Sequence, residues 1–262
     1  MNSAQKIPLR LWTAGLSVYA FLYIPLIVVV IFSFNDSKLN AQWMGFTLDW
    51  YKKLFNNREM LIAAQNSLFI AFVSALGATL LGTMAGVAIH RYKLPFLSAM
   101  VFTPVAMPEI LLGVSLLLFF IQFLHLTLGM YSIIIAHTTF CVGFVAIIVR
   151  VRLQGMNENI FEAARDLGAT PWNCFRYIMF PLIRPAIIAG ALMSFTLSID
   201  DFVITFFMAG VGVSTLPLKI YSMIKVAVTP EVNAISTLLM LLTLSLMFIA
   251  SRIAPDTLKG QA

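Results

Sequence analysis

Three carboxylates, Glu109, Asp200 and Asp201, lie inside long apolar runs of this 262-residue chain. An acid at the centre of a membrane helix costs about 2.5–3.5 kcal/mol on insertion scales, so each needs water, another subunit or a cationic substrate beside it. Ser194, Ser198, Asp201 and Thr205 recur at i, i+4, i+7 and i+11, which places them on one helical stripe, with Asp200 about 100° round the same helix. The polar stripe makes Asp201, together with Ser198, the candidate to face a path for cations. Asp200 is left to cap, to hydrogen-bond or to face a partner subunit, and the reverse assignment stays open. Glu109 follows Pro108 and stands five residues beyond Pro104. Prolines in a spanning helix free carbonyls that can line a polar cavity, so Glu109 is either a third pathway acid or the companion of a structural kink.

This chemistry is that of passage. The chain has no G-x-x-x-x-G-K-[ST] loop, no nucleophile elbow and no H-E-x-x-H, so neither a phosphate cradle nor a catalytic constellation is expected. His90, His125 and His137 are isolated and read as interfacial or helix-packing residues, and Cys141 and Cys174 have no metal-type spacing and no reason to pair. No catalytic residue, no metal and no cofactor bound by this chain are expected.

The elements that must carry these acids follow from composition. A chain that is 60% hydrophobic and 11% charged, with mean hydropathy +0.93, is an all-α polytopic membrane protein. Apolar runs at about 14–34, 62–89, 96–124, 131–149, 183–209 and 231–251 match the length of a bilayer span. They predict about six transmembrane helices in one domain over 1–262, with the first run retained as a helix and not cleaved as a leader. Placing both termini in the cytoplasm puts Lys6, Arg10, Arg91, Lys93, Arg150, Arg152, Arg165, Arg176, Arg184, Arg252 and Lys259 inside. Lys38, Lys52, Lys53, Arg58, Lys219 and Lys225 then lie outside. That bias favours the orientation and accounts for the net charge of +6 without nucleic acid. Ala71, Ala75, Ala78, Gly82 and Gly86 recur on one face of the second run and predict close helix packing. Outside the spans, Trp50 and Tyr51 suit headgroup anchoring, whereas Trp43 lies further from any span end and suits a partner or gate contact.

Between the fourth and fifth runs, the cytoplasmic loop at about 150–182 reads as two short helices. Asn159 and Glu162 have capping-box spacing, Ala163 and Ala164 follow, and Gly168 ends the first helix. Thr170-Pro171 then opens a second helix through about Met179, with Pro181 as its stop. A small alanine-faced helix with a fixed bend suits insertion into a partner's groove, although a surface-lying amphipathic helix has the same local features.

Glu162-Ala163-Ala164, three residues, Gly168, nine residues and Ile178-x-x-Pro181 resemble the EAA loop of permease subunits in binding-protein-dependent ABC importers, with Phe180 where the family usually has leucine. Tyr23-Ile24-Pro25, Ser33-Phe34-Asn35, Gln65-Asn66-Ser67-Leu68, His137 to Cys141, Ser194 to Asp201, Leu216 to Met223 and Thr229 to Ala234 extend the likeness to the polyamine-carrying members. Glu109 stands where those members have aspartate. The resemblance implies that Glu162, Ala163, Ala164, Asp166 and Gly168 couple to an ATPase subunit dimer that uses ATP and Mg. It further implies a homologous second permease, a periplasmic polyamine-binding protein and the bacterial inner membrane. Glu109, Asp200, Asp201, Ser198 and Trp43 are the substrate-pathway candidates for spermidine or putrescine. The alternatives are a related permease for another solute such as ferric ion, and a self-contained cation carrier.

Overall fold

A computed structural model of the chain describes residues 9–37, 42–157, 159–227 and 229–253. The chain divides into two compact units, one of residues 1–58 and 220–241, the other of residues 59–219 and 242–262. The expected positions Lys6, Lys38 and Lys259, and with them both chain ends, fall outside the described residues. Among the described residues five helices are long and apolar enough to cross a membrane, or six if one sharply bent pair is taken as a single span.

In the first unit, α1 (Leu9–Phe32) buries none of its apolar window, and α2 (Asp49–Asn56) follows a folded loop. Asn35 organises that loop. Its fully buried side chain donates from Nδ2 to the Gln42 carbonyl (2.8 Å) and accepts the Met44 N–H at Oδ1 (2.8 Å), while its own carbonyl accepts from Trp50 Nε1 (2.9 Å). The Ser33 and Tyr51 hydroxyls are 2.7 Å apart, and Phe34 stacks on Phe46 at 5.3 Å. Trp50 and Tyr51, expected at the headgroup level, also fasten the turn after α1, Trp50 through the Asn35 carbonyl and Tyr51 through the Ser33 hydroxyl. At the start of α2, the Lys52 ammonium bonds Asp49 at 2.9 Å and holds that carboxyl below the usual range. The carboxyl-terminal part of α11 (Leu216–Val226) and the first turns of α12 (Pro230–Ile253) complete this unit.

The second unit is built on α6 (Met130–Gln154), whose Ile133, Ala136, Val145, Ala146 and Val149 are fully buried. Against it run α3 (Arg58–Tyr92), α4 (Pro95–Ala106) and α9 (Phe180–Asp200). The small-residue face expected on α3 is the packed one: Ala71, Ala75, Ala78, Gly82 and Gly86 are all buried. At Gly82 a Cβ would lie 2.6 Å from Val145 Cβ and 2.8 Å from the Val142 carbonyl oxygen, so glycine permits an approach that no larger residue would. The segment before α11 is tied to the start of α3, with Asn66 Nδ2 donating to the Ser214 carbonyl and the Leu216 N–H to Ser67 Oγ.

Two expected spans are broken. The third run, expected as one helix over 96–124, is α4 and α5 (Glu109–Gln122), bent by 115° at Met107–Pro108. Proline has no N–H and drives the residue before it out of the helical region, and Met107 is extended at ψ 143°. The fifth run, expected as 183–209, stops at Asp200; Asp201 is extended at ψ 122°, and α10 (Val203–Met208) begins anew.

The second loop helix was expected to stop at Pro181, yet it continues into the membrane. After α7 (Asn159–Asp166), α8 (Pro171–Cys174) passes through a π-helical turn (Phe175–Met179) into α9, giving one helix of 30 residues from Pro171 to Asp200. The wide turn shifts the bonding register just before Pro181, where the ring's missing donor is tolerated as it is in a first helical turn.

Gly82→Ala is expected to lower the stability of the detergent-solubilised chain by about 1–3 kcal/mol through overpacking. Gly15→Ala, with nothing within 4 Å of the added carbon, should leave it unchanged to within about 0.5 kcal/mol. Thermal unfolding checks both, and equal losses for the two would refute the close α3–α6 contact.

Candidate functional site

The polar stripe of the fifth run meets a histidine. His137, on α6, is 2% exposed, and its Nδ1 lies 2.7 Å from Ser198 Oγ on α9. Its Nε2 lies 2.9 Å from Thr205 Oγ1 on α10 and 3.1 Å from Asp201 Oδ2 in the break between them. Thr205 donates its hydroxyl proton to Asp201 Oδ2 at 3.0 Å. Nε2 is then the donor toward the carboxylate, and Nδ1 is free to accept the Ser198 proton.

Asp201 also accepts the backbone N–H of Ile204 at 3.3 Å and of Thr205 at 2.8 Å. It therefore caps α10 in the manner of an N-terminal acid. With four donors on its oxygens and 5% of its side chain exposed, this carboxylate is turned into the protein. The surroundings expected for the two adjacent acids are exchanged, Asp201 being the buried cap and Asp200 the exposed acid, because the stripe argument assumed an unbroken helix and a solvated face.

Asp200, one residue earlier, is exposed on the chain and lines a groove of about 610 Å³ between α9 and the later turns of α12. Thr196, Thr243 and Ser251 are its other polar members; Met193, Leu197 and Leu244 are among its apolar ones. A single carboxylate in a mostly apolar trough can attract an ammonium group while the trough covers a methylene chain. Glu109 is exposed in the first turn of α5, where the helix dipole favours a negative group. It does not line that groove. Ser198 is buried against His137. Trp43 belongs to the other unit, where it is 48% exposed and meets Phe32 edge-on at 6.2 Å.

The loop helix is built as a rigid tip. Gly168 takes φ +80°, its N–H bonds the Arg165 carbonyl at 2.8 Å and the Ala169 N–H bonds that of Ala164 at 2.9 Å, the paired closure of a helix end that glycine alone accommodates without strain. The start differs from expectation: Asn159 is the first helical residue, and Asn157 Oδ1 accepts its N–H at 3.0 Å. Thr170 Oγ1 accepts the Asn173 N–H as expected. Ala164 is buried at the back of the helix, whereas Glu162, Ala163 and Asp166 are exposed and Leu167 is 89% exposed at its tip. A cavity of about 310 Å³ behind the helix is lined by Phe161, Glu162, Arg165, Cys174 and Met179, among others. Cys141 and Cys174 are both buried and unpaired as a disulfide. Among the described residues no group of acids, histidines and cysteines is arranged to hold a metal ion.

The sequence profile of a family described as binding-protein-dependent transport system inner membrane component matches residues 78–259. The spermidine/putrescine transport system permease protein PotC of Escherichia coli strain K12 is 45% identical over 247 residues, covering 93% of this chain and 93% of that one. The putrescine transport system permease protein PotI of the same strain is 42% identical over 231 residues, covering 85% of this chain and 82% of that one. Among solved structures, a chain of the inward-facing MetNI methionine ABC transporter superposes with TM-score 0.63 at 22% identity, covering 77% of this chain and 99% of its own. A chain of a bacterial alginate ABC transporter superposes with TM-score 0.71 at 16% identity, covering 94% and 93%.

Removing His137 would leave a buried carboxylate short of one of its four donors. His137→Ala is therefore expected to cost about 1–3 kcal/mol, read as a lower melting temperature and reduced membrane abundance. Asp200→Asn, at an exposed position, should melt with the unaltered chain, and a normal melting temperature for His137→Ala would show that the buried cluster carries no stability.

Proposed function

We propose, from the premise that this chain belongs to the family of binding-protein-dependent transport system inner membrane components, that it forms half of the path by which an ATP-driven importer carries polyamines, spermidine or putrescine or both, across the inner membrane. As a member it is a permease subunit of an ABC importer and not an enzyme. The observation that carries the substrate reading is kinship along nearly the full length: 93% of the chain aligns with a spermidine/putrescine permease and 85% with a putrescine permease.

In this reading both units belong to one permease domain with cytoplasmic termini, paired with a homologous second permease. A periplasmic polyamine-binding protein delivers the substrate, and a separate ATPase dimer hydrolyses ATP with Mg. Asp200 is the principal pathway acid, since its carboxylate faces an apolar trough that suits an alkyl-ammonium chain. Glu109 and Trp43 are further contacts. Asp201 and Ser198 act indirectly, by fixing the break that presents Asp200. An inside-negative potential favours entry of each positive charge by about 2.3 kcal/mol per 100 mV, so the motor's task is gating and direction. The α7 tip, with Glu162, Ala163, Asp166 and Leu167 outward and Ala164 and Gly168 shaping it, is the part that enters a groove of the ATPase.

Uptake of labelled spermidine by the whole complex tests this. Asp200→Asn is expected to reduce uptake about tenfold or more, the equivalent of about 1.4 kcal/mol, with assembly intact. Unchanged uptake would remove Asp200 from the path, and ATP-independent uptake by the chain alone on a proton gradient would replace the importer reading with a carrier. Leu167→Asp is expected to leave ATP hydrolysis by the ATPase in place while abolishing its stimulation by substrate-loaded receptor; normal stimulation would refute docking through α7.

A further inference from the structure

We propose that the headgroup of an anionic phospholipid seats in a basic cavity of this chain, at the junction of α3, α4 and α6. The cavity holds about 430 Å³ and is lined on its polar side by His90, Lys93, Arg150, Ser98 and Gln154. No carboxylate lines it, and among the described residues none of its three basic side chains takes part in a salt bridge. The Arg150 guanidinium lies 5.9 Å from the centre of the Phe102 ring, and among the described residues it forms no salt bridge, which leaves its N–H fork available to a phosphate.

The walls add donors of a second kind. α4 starts at Pro95, so the N–H groups of Phe96 and Leu97 belong to a first helical turn and have no acceptor within the helix. That end of a helix favours an anion. Ser98 and Gln154 supply neutral donors suited to the ester and glycerol oxygens of a phosphodiester headgroup.

The rim distinguishes a lipid from a free anion or an acidic protein segment. Ile89, Leu94 and Pro95 form the apolar wall, and beside it Tyr92, Phe96 and Met100 are 65%, 78% and 60% exposed. The cavity lies where the apolar stretches of α3 and α6 give way to Arg91, Lys93, Arg150 and Arg152, the depth at which a bilayer changes from acyl chain to headgroup. An amphiphile with one negative charge and two apolar tails satisfies both the cation cluster and the exposed rim; a soluble phosphate or an acidic peptide satisfies only the first. Basic recesses between spanning helices bind acidic headgroups in this manner. The site is independent of what the importer carries.

Native mass spectrometry of the full chain in neutral detergent, titrated with phosphatidylglycerol, tests the proposal. The unaltered chain and a Lys52→Gln/Lys53→Gln control, altered at exposed lysines of α2, are expected to retain one lipid with equal affinity. Lys93→Gln/Arg150→Gln should bind about 30-fold more weakly, the loss of two basic contacts. Lys93→Gln alone, changed at an exposed side chain, should lose about fivefold and serves if the double variant does not fold. Equal affinity in all variants, equal retention of phosphatidylcholine, or occupancy by inorganic phosphate as tight as by the lipid would each overturn it.

Discussion

The structure depends on how one carboxylate is satisfied in an apolar medium. Asp201 sits where a membrane helix stops and restarts, and the break exposes backbone groups that lipid cannot solvate. The same side chain that would be costly there caps the new helix, and His137 on the central helix supplies the remaining donor. Three helices, α6, α9 and α10, are thereby fixed at one point by side chains separated by 61 and 68 residues in sequence. The outward setting of Asp200, one residue earlier, follows from where that point holds the chain.

Close packing supplies the rest of the frame. Helices in lipid gain little from hiding apolar surface, since the tails are as apolar as the side chains, and must gain instead from van der Waals approach. Gly82 on α3 and Gly143 on α6 serve this end, the latter bringing α6 within reach of the Val101 carbonyl of α4. The long α1, with no buried window, has no such device, and its apolar surface is left for lipid or for another subunit.

Much of this was legible in the residues. The glycine closure after Asp166 and the Thr170 cap are set by interactions within a few positions of sequence, and the apolar runs and the α3 packing face show in the spacing of residue types, although α3 packs on the distant α6. The breaks were less legible. Pro108 was visible as a kink, but the size of the 115° bend depends on what packs around it, and Pro181 looked like a stop because a π turn has no clear local signature. His137 carries no such signal: alone in its run, it has no neighbour at helical spacing to suggest that it bridges two other helices. Once the helix breaks at Asp201, the phase of the stripe changes, and the two adjacent acids exchange surroundings.

The uninterrupted helix from Pro171 to Asp200 has a mechanical meaning. Thirty residues at 1.5 Å each make a strut of about 45 Å, and a tilt of about 10° at one end displaces the other by roughly 8 Å. No loop intervenes between Pro171, three residues beyond Gly168, and the acid that lines the trough. A tilt imposed at one end is carried to the other as angle, through the π turn at Phe175–Met179.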